Sequence, residues 1–186
     1  VDARSVGGAR GMLAVGVAAV AFLATACSPG GTGDGAPTAT SDAEGTVLRE
    51  AGLFFGECGG VSTEDLMALT GIRGVRLQER NSVGCRWEGG FFGPYASFSW
   101  YRGSPIGRER AVVELSGRGV RDVSVAGPSG ELTGFAGWGR FICEVSIQSN
   151  SDFFVWSVVF AEELSDDEMC RRVLALAEAT VNRAEP

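Results

Sequence analysis

The chain has 186 residues, 45% hydrophobic and 9% aromatic, with a net charge of −7. That is enough apolar material for one folded domain, and the acidic balance excludes a nucleic-acid partner, which needs surplus cation to displace counterions from phosphates. There is no histidine, and all sixteen basic residues are arginine, which excludes His-based triads and zinc sites, P-loop lysines and Schiff bases; no cofactor or metal is expected.

Residues 1–11 carry Arg4 and Arg10 against Asp2, and Met12 to Ala24 form an uncharged apolar run. The run is too short to cross a hydrocarbon core of about 30 Å comfortably, but it has the length of a signal-peptide h-region. It leads into Leu23-Ala24-Thr25-Ala26-Cys27, which resembles a lipobox, where small residues precede a cysteine that receives a diacylglyceryl group. Leu23 stands one place further from the cysteine than that pattern has it, and Ala24-Thr25-Ala26 also fits ordinary signal peptidase, so simple secretion is the rival reading. Five cysteines, at 27, 58, 85, 143 and 170, favour lipidation, because an acylated Cys27 leaves four to pair in an oxidising compartment. Residues 1–26 are therefore expected to be a signal peptide. Residues 27–45, rich in Gly, Pro, Ser and Thr, are expected to be the lipidated cysteine and a flexible tether with a reach of about 20–25 Å. The membrane, met through that anchor on the extracytoplasmic face of the cell membrane, is the first expected partner.

Residues 46–186 read as one α+β domain. Ser62-Thr63-Glu64-Asp65 opens a helix that Gly71 stops. A weaker strand is expected near 84–88 and a clear one over 95–101, where Ala96, Phe98 and Trp100 alternate with Ser97, Ser99 and Tyr101. Ser104 as N-cap and Pro105 at the first helical position open a second helix, closed by Gly117. Weaker strands are expected near 121–126 and 131–136, and stronger ones over 141–148 and 153–160, the last apolar on both sides. Ser165 to Glu168 reads as a capping box for a final helix in which Met169, Val173, Leu176 and Thr180 follow one column and Cys170, Leu174, Ala177 and Val181 the next, making one broad apolar face. This order predicts an antiparallel sheet with helices packed on one face. Two disulfides are expected, Cys58–Cys170 and Cys85–Cys143, with the local pairing 58–85 and 143–170 also open.

FF at 54–55, CGGVS at 58–62, NSVGC at 81–85, SFSWYRGSPIGRER at 97–110, CEV at 143–145 and WSV at 156–158 resemble an actinobacterial family of lipoproteins whose domain has no assigned function. The resemblance implies a cell-envelope lipoprotein and carries over no catalytic residue.

The richest local constellation is Trp100, Tyr101, Arg102, Ser104 and Arg108. A helix N-terminus with arginines beside it suits a phosphate or carboxylate, and the aromatics suit a sugar or headgroup. The plainer reading makes Trp100 core, Ser104 a cap, and the arginines solvated or paired with Glu109 and Glu114. Glu162, Glu163, Asp166, Asp167 and Glu168 are explained by helix capping and the macrodipole; the alternative is a carboxylate-based envelope hydrolase. A non-catalytic module for an envelope lipid, glycan or protein is the preferred expectation.

Overall fold

A computed structural model of the protein describes residues 52–128 and 130–185. The expected signal peptide, Cys27 and the tether lie outside the described residues. In chain order the described elements are a 3-10 turn (Glu57–Gly60), α1 (Thr63–Thr70), β1 (Arg76–Asn81), β2 (Gly84–Glu88), β3 (Tyr95–Tyr101), α2 (Ile106–Leu115), β4 (Gly119–Gly127), β5 (Gly130–Trp138), β6 (Ile142–Ser149), β7 (Asp152–Val159) and α3 (Asp166–Arg183). The strands form one antiparallel sheet in the order β1-β2-β3-β7-β6-β5-β4, so the expected α+β class with an antiparallel sheet and two disulfides is the one found.

The central place of β7 accounts for its unalternating FFVWSVVF sequence. Phe153 and Phe154 point to opposite faces, and both are buried. At the edge, β1 is RLQERN, exposed throughout and bulged between Leu77 and Glu79. Such an edge is protected from further pairing by charge and irregularity. It also carries no apolar alternation, which is why the sequence does not announce it.

One face of the sheet holds the main core. Phe98, Val145, Ile147, Phe154 and Trp156 pack there with Leu66 of α1 and Met169, Val173 and Leu176 of α3. Both helices begin at serine caps. Ser62 and Asp65 form a reciprocal capping box, and the Ser165 side chain accepts the Glu168 N–H. Only that half of the second box forms as expected, because the Glu168 carboxylate turns instead to Arg171 and Arg172.

The one-face arrangement holds for α1 and α3, whereas α2 lies across the other face. Phe135 and Gly137 of β5 point away from Ala136 and the core, and a Cβ at Gly137 would come within 2.6 Å of Val113 of α2. α2 also begins one residue later than expected. Pro105, at φ −76° and ψ 120°, is extended and takes the N-cap position with no side-chain cap bond, so Ser104 is not the cap.

The disulfides are Cys58–Cys85 and Cys143–Cys170, with Cα separations of 5.2 and 5.3 Å, which corrects the expected Cys58–Cys170 and Cys85–Cys143. The reason is strand order. Cys85 on β2 and Cys143 on β6 have β3 and β7 between them; three strand spacings of roughly 4.8 Å put them beyond disulfide reach. Each bond instead staples a segment on the core face to the strand beneath it.

Candidate functional site

The strand alternation of β3 divides the expected cluster between the two faces. Trp100 points to the core side, 6% exposed, with its ring edge-on to Phe54 and Phe55. Tyr101 points to the α2 side, 40% exposed, and stacks on Phe153 at 4.6 Å and 8°. Arg102 places its guanidinium 4.4 Å from the Trp100 ring centroid, a cation–π contact, and 4.0 Å from the buried carboxylate of Asp152. The other oxygen of Asp152 accepts the Gly103 N–H at 2.9 Å. Asp152, which lies between the strands expected over 141–148 and 153–160, thus ties the loop after β3 to the start of β7. Ser104 is half-buried and Arg108 is exposed. These five residues therefore do not converge on one ligand.

What the α2 face offers instead is a groove of about 600 Å³ between the first half of α2 and strands β4 to β6. Ile106 and Gly107 overhang it, Ser124, Thr133 and Gln148 line it, and Phe135 forms its floor. Arg110 closes one wall, bonded to Asp122 and Glu114 with its guanidinium 5.8 Å from the Phe135 ring centroid. Hydrogen bonds to the Asp122 and Glu114 carboxylates raise the Arg110 pKa further above its ordinary value, so this wall stays charged. Gln148 is held by its amide N–H groups, which donate to the carbonyls of Asn150 and Asp152 at 2.7 Å. Phe153 pairs with Gln148 on one side and Tyr101 on the other, so the Tyr101–Phe153 stack continues the groove across the sheet. Partial burial raises the Tyr101 phenol above its ordinary 10.0, and the Glu109 and Glu144 charges add to this; it remains a hydrogen-bond donor at neutral pH.

Ser124, Thr133 and Gln148 were not singled out in the sequence. Their only signal there is that polar residues alternate with apolar ones in strands, which marks a face but not a groove.

The acids at the α3 end face separate partners. Glu163 lies 3.6 Å from Arg140, Asp167 bonds Arg121, and Glu168 bonds Arg171 and Arg172. The two arginines hold the Glu168 carboxyl below its usual 4.5. No helix among the described residues is long and apolar enough to cross a membrane.

The chain is similar in sequence to a known family and to mycobacterial relatives. The family model described as "Protein of unknown function (DUF3558)" matches residues 22–183. A protein of Mycobacterium tuberculosis (strain CDC 1551 / Oshkosh) named "Putative lipoprotein LprB" is 44% identical over 161 residues, covering 81% of this chain and 84% of the relative. The protein of the same name from Mycobacterium bovis has the same identity and coverage. That from Mycobacterium leprae is 40% identical over 159 residues, covering 83% of each. No solved structure matches.

Proposed function

The chain belongs to the DUF3558 family, and from that membership we propose that it is a lipid-anchored envelope protein whose folded domain binds a glycan without transforming it. Cys27 is the anchor in this reading: it follows an apolar leader and small residues, and the mycobacterial relatives bear lipoprotein names. The anchor holds the domain at the extracytoplasmic face of the cell membrane.

The observation that carries the binding role is the groove beside α2. Hydroxyl and amide groups of Ser124, Thr133 and Gln148 surround an aromatic floor, and the Tyr101 ring lies at its continuation. Sugars present C–H faces to aromatic rings and hydroxyls to side-chain donors and acceptors, so this mixture suits them. An acyl chain calls for an enclosed apolar cavity, and this groove is open to solvent and carries hydroxyl, amide and charged side chains along its walls. The acids near α3 support a non-catalytic reading, because Glu163, Asp167 and Glu168 are each engaged by a different arginine or arginine pair.

The test is titration of the full-length, detergent-solubilised protein with a tetramer of N-acetylglucosamine and with a soluble muramyl disaccharide, read by calorimetry. Tyr101→Ala and Gln148→Ala are each expected to weaken binding about tenfold or more. Arg102→Ala is expected to leave it unchanged, because Arg102 lies over Trp100. Binding that survives both groove substitutions, or no binding of either sugar, removes the reading. Intact mass of the same preparation tests the anchor separately, through the added mass of the diacylglyceryl group on Cys27.

A further inference from the structure

The most exposed large apolar side chains among the described residues are neighbours. Phe91 and Phe92, 94% and 92% exposed, stand together at the tip of the β2–β3 hairpin, with their rings edge-to-face at 4.8 Å. Adjacent phenylalanines held in water call for a reason, because scattered single apolar residues are ordinary and contiguous patches are not.

The tip is built to display them. Gly89 N–H donates to the Pro94 carbonyl at 2.8 Å, and Gly93 N–H donates to the Gly90 carbonyl at 3.3 Å, closing a turn with Phe91 and Phe92 at its two apex positions. Gly90, at φ 95°, takes a backbone conformation that favours glycine. A Cβ at Gly93 would overlap the Gly89 carbonyl oxygen, so the turn closes this tightly only with glycine there.

We propose that this tip is a membrane contact: Phe91 and Phe92 enter the headgroup–acyl boundary of a phospholipid bilayer. Three observations select a bilayer over a protein partner. First, the segment GGFFGP has no hydrogen-bonding side chain; it supplies apolar area without the polar rim that gives a protein interface its orientation. Second, the amides of Gly89 and Gly93 are already bonded within the turn, so the tip can leave water without stripping these donors. Third, the tip projects as a knob, and other exposed apolar side chains, Leu115 at the end of α2 and Phe141 just before β6, 88% and 37% exposed, lie toward the same end of the sheet. A flat bilayer meets such separated points together.

The tip itself carries no charge. Behind it, at this end of the sheet, stand side chains of both signs, among them Arg73, Arg76, Arg118, Arg140 and Arg172 with Glu88, Glu162, Glu163, Asp166 and Asp167. Insertion therefore rests on apolar burial and is expected to be nearly independent of ionic strength.

Reach is available. The described chain begins at the opposite end of the sheet, where Leu53 N–H donates to the Ser149 hydroxyl at 3.0 Å. The residues from 28 to 51, at full extension, span at most about 80 Å, against a sheet roughly 27 Å long. Cys27 and the tip can thus meet one bilayer, and the tip contact does not depend on the glycan groove.

The test places tryptophan at the tip of the full-length protein, as Phe92→Trp, in vesicles of palmitoyl-oleoyl phosphatidylcholine with or without phosphatidylglycerol. Brominated phosphatidylcholine is the quencher, and the protein without the substitution supplies the background of the native tryptophans. The expected result is a blue shift and at least twofold added quenching at both lipid compositions and at low and high salt. An emission spectrum that stays water-like in vesicles overturns the proposal. So does a shift that appears only with a lipid-free envelope protein fraction, which assigns the tip to a protein. Phe91→Ala/Phe92→Ala, at exposed positions, is expected to keep the thermal midpoint. In a Cys27→Ser chain, which carries no diacylglyceryl group, the same double substitution is expected to lower partition into preformed vesicles at least tenfold; unchanged partition also overturns the proposal. Lipidation is read separately by intact mass, so a missing anchor is not mistaken for a failed tip.

Discussion

The indole N–H of Trp156, in the central strand, donates to the hydroxyl of Thr180 on α3 across 2.9 Å, and both residues are fully buried. This bond fixes the rotation of α3 above the sheet at the point where Trp87 and Phe98 pack against Trp156. Thr180→Val keeps the shape but leaves the buried indole N–H without a partner, with an expected loss of about 1–3 kcal/mol. Thr180→Ser keeps the hydroxyl and removes a methyl group, with an expected loss nearer 1 kcal/mol. Urea unfolding of the two variants checks the order; equal losses would mean the bond adds nothing beyond packing.

Both disulfides join residues 27 apart in sequence, and in the chain-entropy treatment each contributes about 3–4 kcal/mol by restricting the unfolded chain. Cys143→Ala/Cys170→Ala is expected to lower stability by that order. Non-reducing peptide mapping of the unsubstituted protein is expected to recover 58 linked to 85 and 143 linked to 170. Recovery of a peptide linking 85 to 143 would contradict the strand order itself.

The limits of sequence reading fall at particular residues. The boundaries of β3 follow directly from alternation, and α3 from its two apolar columns, because a long face packed on the core leaves a strong periodic trace. β1 left none, since an exposed edge needs no apolar side. Disulfide pairing depended on the spatial order of strands, which no local pattern carries. The side on which α2 packs was illegible for a similar reason: Val113 is its one fully buried residue, too few to define a face. The division of the expected cluster between two faces was itself legible. Period-two alternation, which correctly sends Trp100 and Tyr101 opposite ways, already meant that the two rings could not share a ligand. Phe91 and Phe92 were not singled out in the sequence, because their exposure is a property of the closed turn.

Acid should weaken the contact between α1 and α3. Arg183 lies 2.7 Å from Asp65, and this bond, with the Ser62 backbone N–H, holds the Asp65 carboxyl below its usual 3.8. Glu168 is likewise held below 4.5 by Arg171 and Arg172. A carboxyl with a depressed folded-state pKa binds its proton first in the unfolded chain. Its contribution is therefore complete above the ordinary carboxylate range and is lost as pH falls through the folded value. Both groups are solvent-accessible, so the effect is small. Thermal midpoints from about pH 5 to about pH 3 are expected to fall less steeply in Asp65→Asn/Glu168→Gln than in the unsubstituted protein. Parallel curves would show that other carboxylates carry the acid response.

Opening of α2 is the motion most relevant to the groove. The helix rests on the sheet through Val113, seated over Gly137, and through the bonds of Arg110 to Asp122. In the following turn Arg118 bonds Glu144 at 2.6 Å and the Gly137 carbonyl at 3.1 Å. By contrast, α3 buries seven residues and carries a disulfide. Elements with few buried contacts open locally at free energies well below global unfolding. The amides of α2 are therefore expected to exchange with solvent faster than those of α3 and β7, with little dependence on low denaturant. Val113→Ala deletes buried methyl groups and is expected to speed α2 exchange about tenfold while leaving the α3 amides unchanged. A sugar seated between Ile106 and Gln148 contacts α2 and the sheet together, so saturation with the N-acetylglucosamine tetramer is expected to slow α2 exchange. Hydrogen–deuterium exchange read by mass spectrometry resolves all three expectations. If α2 and α3 open together at one rate, the helix belongs to the global unit, and the groove is a rigid cleft that a ligand enters without trapping a moving wall.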